Sequence, residues 1–259
     1  MIERASHFPE GVVHGFSTRL GGVSSGRFSS MNLGGRWGDA PDKVAENLRL
    51  LADMGGYAGR RLVRVRQVHG AAVIPASEVV EGSEADGVWH RIQAGAETPA
   101  NERPVLAVMT ADCVPILLVD RQGTVAAAVH SGWRGTAADI AGVAVAQLCG
   151  PGGARPEDLL AAIGPCIELD AFEVGEEVAA QFDAIADQLG LAQPLVAREG
   201  YAKPHVDLVA CVRAQLEAAG LPANQIERVG ACTHAHPDRY FSYRRDGAGI
   251  GQHLSFVGL

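Results

Sequence analysis

The 259-residue sequence contains no C-x-x-C pair and no cluster of Lys and Arg long enough to form a basic arm. It also lacks any apolar run of about 18 residues. Its five cysteines, at 113, 149, 166, 211 and 232, are an odd and scattered set. Neither a disulfide framework nor a zinc-finger lattice is suggested, and cysteine chemistry is expected to be single-site. The missing apolar run excludes a transmembrane helix. The opening residues carry Glu3 and Pro9 where a secretion signal needs a continuous apolar stretch, so the protein is expected in the cytoplasm. Lys and Arg number 22 against 30 Asp and Glu, a net charge of −8. Without a basic stripe, binding to nucleic acid or to an anionic membrane is not expected, and a small or neutral partner is.

What the sequence does have is 47% hydrophobic residues, enough for one substantial core, together with 32 glycines and 13 prolines. That many turn formers argues against a helical bundle. Helical periodicity with terminal glycines predicts helices over Pro41–Met54, Thr136–Cys149, Gly175–Leu189 and Val206–Ala219. Short apolar runs predict strands over Val12–Ser17, Leu62–Val68, Val105–Thr110, Pro115–Asp120, Thr124–His130, Leu159–Ile163, Ile226–Cys232 and Tyr240–Tyr243. Most are too apolar to face water. The expected fold is α+β, with covered sheets in a single domain spanning residues 1–259.

The runs Pro115–Asp120 and Gly123–His130 are separated by Arg121 and Gln122. A two-residue turn there would pair Asp120 with Gly123, and paired residue numbers would sum to 243 throughout the hairpin. His130 would then face Cys113, bringing an imidazole and a thiol to one end of a sheet.

His69 follows another strand-like run, within Gln67-Val-His69-Gly70. His69, Cys113 and His130, each at a strand end, make a three-ligand zinc site with an open fourth position; copper is the second metal to consider. A rival set is Cys232-Thr-His234-Ala-His236, whose alternation on a strand would place all three side chains on one face. Arginines among glycines form the other signal: Arg19, Arg134 and Arg244. Arg134 precedes Gly135 and the predicted helix start at Thr136, where backbone amides and a guanidinium would suit phosphate. Cys149, Cys166 and Cys211, and the histidines at 7, 14, 90, 205 and 253, are expected to be structural.

The motifs Ser17-Thr-Arg-x-Gly-Gly-Val-Ser24, Asn32-Leu-Gly34, Gln67-Val-His-Gly70, Ala85-Asp-Gly87, Thr110-Ala-Asp-Cys-Val-Pro115, Ala128-Val-His-Ser-Gly-Trp-Arg-Gly135, Ile163-Gly-Pro165, Phe172-Glu-Val-Gly175, Val206-Asp-Leu208 and Phe241-Ser-Tyr-Arg-Arg-Asp-Gly247 occur in that order. In this the chain resembles the laccase-domain, or polyphenol oxidase-like, family of purine nucleoside phosphorylases, from about residue 13 to residue 247. The resemblance implies a β-sandwich-like core flanked by helices, similar to the cytotoxic necrotizing factor deamidase domain. It implies phosphorolysis of adenosine, inosine, guanosine and methylthioadenosine to base and ribose 1-phosphate, with some adenosine deamination. It places metal and catalysis on His69, Cys113 and His130. Arg19, Asn32, Gln67, Asp112, Arg134 and Arg244 are the expected substrate- and phosphate-binding residues, on a monomer or weak homo-oligomer. Cys232-Thr-His234-Ala-His236 departs from the family pattern.

Three other functions compete. A copper-dependent oxidase of phenols would need several His-x-His pairs, and the sequence offers only His234-Ala-His236. A Cys113–His130 pair could serve an amide hydrolase as nucleophile and base. Metal storage or a scaffold role is the non-enzymatic reading.

Overall fold

Residues 105–108 show the period of two that builds the molecule. Val105 and Ala107 pack with Leu51, Tyr57 and Phe256, whereas Leu106 and Val108 pack with Leu117, Val119 and Ala128. Successive side chains on a strand point to opposite faces of the sheet. The same alternation sends Ile116 and Leu118 towards Ile140, Leu148 and Val212, and turns Leu117 and Val119 back inward. Two sheets therefore face each other, with helices covering both outer faces. This is the expected α+β core of sheets flanked by helices.

The computed structural model describes residues 1–92 and 99–259. In chain order its elements are β1 (Ile2–Glu3), β2 (Val13–Ser17), α1 (Pro41–Gly55), β3 (Leu62–Val63), β4 (Val73–Pro75), β5 (Gly87–Arg91), β6 (Val105–Thr110), β7 (Val114–Asp120), β8 (Val125–Ser131), α2 (Trp133–Ala137), α3 (Ile140–Cys149), β9 (Leu159–Ile163), α4 (Glu176–Leu189), β10 (Val196–Ala197), β11 (His205–Val206), α5 (Leu208–Ala218), β12 (Ile226–Arg228), α6 (Tyr243–Asp246) and β13 (His253–Gly258). One sheet has the order β1-β2-β13-β6-β3, the other β12-β9-β7-β8-β5-β4, and β10 pairs with β11 apart from both. Helix α1 lies on the first sheet; α3, α4 and α5 cover the second. Among the described residues no helix is long and apolar enough to cross a membrane.

The β7–β8 hairpin departs from the expected register. Pro115 pairs with His130 and Val119 with Ala126, so paired numbers sum to 245. Asp120 is the cause. Its carboxylate accepts from Thr124 N–H at 2.6 Å, Thr124 O–H at 2.6 Å and Val125 N–H at 3.0 Å, and Gly123 adopts a φ of 65°. The turn is therefore four residues long. A shift of two leaves every side chain on its expected face, so Cys113 and His130 remain neighbours, although His130 directly opposes Pro115.

Four other expectations change. The helix expected over Thr136–Cys149 is two helices: α2 starts earlier, at Trp133, and Asp139, at a φ of 55°, caps α3 by accepting from Gly142 N–H. The strand expected over Leu62–Val68 ends at Val63, and that over Ile226–Cys232 ends at Arg228. Residues 240–243 form no strand; Ser242 instead caps α6 by accepting from Arg245 N–H at 3.2 Å.

Candidate metal centre and cavity

The chain crosses from one sheet to the other between β6 and β7, through Ala111, Asp112 and Cys113. Asp112 makes the crossing with a φ of 90°. Its carboxylate accepts from Thr233 O–H at 2.5 Å, Ser242 O–H at 3.0 Å and Arg244 N–H at 2.6 Å. Those bonds hold in place a backbone conformation that non-glycine residues rarely adopt. They also tie the loops at 233 and 242–244 to the residue beside Cys113.

His69 is delivered from the loop between β3 and β4, itself at a φ of 59°. Asp86, fully buried, organises that loop by accepting from His69 N–H at 2.9 Å and Gly70 N–H at 2.6 Å. Its carboxylate also accepts from Nδ1 of His130 at 2.8 Å. A carboxylate only accepts, so Nδ1 carries the hydrogen and Nε2 is the ring atom left for Cys113 or a metal.

The donor atoms of His69, Cys113 and His130 all lie within 4.8 Å of one another. Among the described residues this is the only group of three or more His, Cys, Asp or Glu side chains so placed. Burial alone would push the Cys113 thiol up. The charge of His130 and hydrogen bonds from His130 and His69 together outweigh it and hold the thiol at about 6. Burial also works against an imidazolium at His130, but the Cys113 charge and the Asp86 hydrogen bond outweigh that and raise it to about 9. The thiolate thus favoured is the form of cysteine that binds metals. The residues fit a zinc ion by donor type, two imidazoles and one thiolate, and by space. Gly132 keeps the ground between them clear: a Cβ there would come within 2.8 Å of His69 Nδ1 and 3.3 Å of Cys113 Sγ.

The three donors stand in the wall of a cavity of about 660 Å³. Arg64, Gln67 and Met109 form one part of the lining, where Gln67 donates to Met109 O at 2.7 Å and accepts from Met109 N–H at 2.8 Å. Trp37 and Tyr243 form another, stacked at 5.8 Å between ring centroids with Tyr243 half exposed. Arg244 lies 5.1 Å over the Phe172 ring and donates to the carbonyls of Ala171 and Glu173. Arg134 lies 4.3 Å over its neighbour Trp133. It sits within the first turn of α2 and not ahead of a helix start.

Of the sequence-derived set, Gln67, Asp112, Arg134 and Arg244 line this cavity with the three donors. Arg19 and Asn32 do not. The Arg19 guanidinium donates to Ser29 O and Pro237 O and lies 4.5 Å over Phe241. Asn32 is buried and bonded to Gly34, Asp39 and the Gln252 N–H. Both are occupied in joining loops. The rival cluster does not assemble: Cys232 is buried in an isolated bridge with Cys166, and His234 and Ala235 continue in a turn to an exposed His236. Asp86, Arg36, Arg64 and the Trp37–Tyr243 pair were not singled out from the sequence. Asp86 did lie in a quoted motif, but no spacing signal ties it to a histidine 44 residues away.

A family model described as multi-copper polyphenol oxidoreductase laccase matches residues 13–259. A purine nucleoside phosphorylase of Deinococcus radiodurans is 40% identical over 248 residues, 96% of this chain and 89% of that protein. Purine nucleoside phosphorylase YfiH of Escherichia coli is 37% identical over 252 residues, covering 97% and 95%. Among solved structures, YlmD from Geobacillus stearothermophilus superposes with a TM-score of 0.84 at 33% identity, covering 98% of this chain and 93% of that one.

Proposed function

The chain belongs to the multi-copper polyphenol oxidoreductase laccase family, and on that footing we propose that it is a purine nucleoside phosphorylase holding zinc through His69, Cys113 and His130. The proposed substrates are adenosine, inosine, guanosine and methylthioadenosine, with adenosine deamination as a side activity. The observation that carries this reading is the composition of one cavity, in which an N/S donor group, a stacked aromatic pair and several guanidinium groups share a wall. The phosphorylase names of relatives matched over nearly the whole chain support it.

In phosphorolysis a phosphate oxygen bonds to the ribose C1′ as the C1′–N9 bond breaks, and the purine leaves with the electron pair. The side chains have to hold two reactants in line and stabilise charge. The face of the Trp37–Tyr243 pair suits a planar base, because aromatic rings stack on heteroaromatic ones. Arg134 and Arg244 supply positive charge for the phosphate, while Gln67 and Asp112 fix the backbone beside the metal ligands. A zinc ion held by the three donors would act as a Lewis acid and lower the pKa of water, the chemistry that deamination needs.

A second reading draws on the favoured thiolate: Cys113, His130 and Asp86 also have the order of nucleophile, base and orienting carboxylate. Metal coordination would mask that nucleophile. Purified protein tested on a panel of purine nucleosides, with metal analysis and thiol alkylation on the same sample, separates the two. Phosphate-dependent base release, bound zinc and an alkylation-resistant Cys113 support the phosphorylase; a freely alkylated Cys113 with no base release supports the hydrolase.

A further inference from the structure

Five guanidinium groups line the cavity, those of Arg36, Arg64, Arg66, Arg134 and Arg244, in a protein whose net charge is −8. The one carboxylate in the lining, Asp112, is turned to Thr233, Ser242 and the Arg244 amide. The five differ in what already holds them. Arg66 is paired with Glu84. Arg244 donates to two carbonyls, and Arg134 lies on the Trp133 ring. Among the described residues the one hydrogen bond from the Arg64 guanidinium goes to the Met109 sulfur at 3.4 Å, a weak acceptor that leaves most of its N–H groups unused. Among the described residues Arg36 makes no hydrogen bond or ion pair.

Arg64 is also the better anchored of these two. It follows directly on β3, whose Leu62 and Val63 pair with Val105 and Leu106 of β6. Its contact residue Met109 lies further along the same strand, and the Gln67 amide holds the Met109 backbone on both sides. Arg36 lies on the loop that carries Trp37. A guanidinium that is fixed at its base, faces a cavity and lacks a carboxylate is suited to a bidentate oxyanion.

We propose that Arg64 binds the phosphate that enters as co-substrate, with Arg36 as a second donor from the loop that carries Trp37, and that Arg134 and Arg244 contribute charge without being its principal ligands. This rests on the phosphorylase reading above.

The test pairs steady-state kinetics at varied phosphate with calorimetric titration of inorganic phosphate into native protein and into Arg64→Gln, Arg64→Lys and Arg36→Gln. Losing a charge-assisted contact should raise the phosphate KM about ten- to a hundredfold. The nucleoside KM should move far less, Arg64→Lys should restore binding only in part, and calorimetric phosphate binding should weaken in parallel with KM. Equal phosphate affinity in native protein and Arg64→Gln overturns the proposal, as does absence of phosphate binding to the native protein. If native protein binds phosphate through Arg64 but releases no base from any purine nucleoside, the anion site stands and the phosphorylase reading falls.

Discussion

Asp86 and His130 are joined twice: His130 N–H donates to the Asp86 carbonyl at 2.7 Å, and its ring Nδ1 donates to the Asp86 carboxylate at 2.8 Å. Backbone register and ring orientation are thus set by one residue, just beyond the paired stretch of β5 and β8. The same carboxylate shapes the His69 loop. Asp86 therefore positions two of the proposed metal ligands without being one. Asp86→Asn should keep the fold, lower zinc affinity about ten- to a hundredfold, and reduce turnover accordingly. Competition against a chromophoric chelator measures this; unchanged affinity would show that the ligands orient themselves.

The space between the donors depends on Gly132. Its φ of −73° is open to any residue, so the objection to a side chain is spatial and not conformational. Gly132→Ala should leave the circular dichroism spectrum intact and weaken zinc binding. If the usual overpacking cost of about 1–3 kcal/mol falls on the site, affinity drops roughly five- to a hundredfold.

Cys113→Ala should remove bound metal and most activity, while His234→Ala should leave metal content at its native level. Metal analysis of the two proteins decides this. Loss of metal from the His234 variant alone would move the centre to the turn after Cys232.

His253, buried on β13, gives the fold a pH dependence of its own. Its Nε2 accepts the Phe241 N–H at 2.9 Å. Burial pushes its pKa down from 6.5 to about 4, with the charges of Arg19 and Arg245 adding to that effect. Above about 6.5 both folded and unfolded chains carry a neutral ring, and the group adds no slope. Between about 6.5 and 4 the unfolded chain binds a proton that the folded chain refuses, so stability falls as pH falls through that window. At about 1.4 kcal/mol per pKa unit the loss approaches roughly 3 kcal/mol. Urea denaturation across the window should show it, and His253→Gln should flatten it.

The strands over Val105–Thr110 and Leu159–Ile163 were legible to the residue, because uniformly apolar runs bounded by turn residues have little else to be. The hairpin was legible in face but not in register, since register depended on the Asp120 side chain bonding across its own turn. β13, the strand between β2 and β6, is not among the strands expected from the sequence, although its alternation of His253 and Ser255 with Leu254 and Phe256 has the period of a strand and both faces are buried. The proposed metal ligands His69, Cys113 and His130 are legible because each stands where an apolar strand-like run stops. Their supports did not, because an Asp before a glycine reads first as a turn. Arg64 gives no signal in the sequence for the same reason that Arg19 gives one: glycine neighbours mark a loop, but only the fold shows which arginine is already occupied.

The most direct measurement follows the zinc-loaded protein with adenosine or inosine and inorganic phosphate by phosphorus NMR, with free base assayed alongside. The phosphate signal should give way to that of a sugar phosphate, one for one with the base released, and no base should appear without phosphate. Base released with the phosphate signal unchanged, or no base from any purine nucleoside, would contradict it.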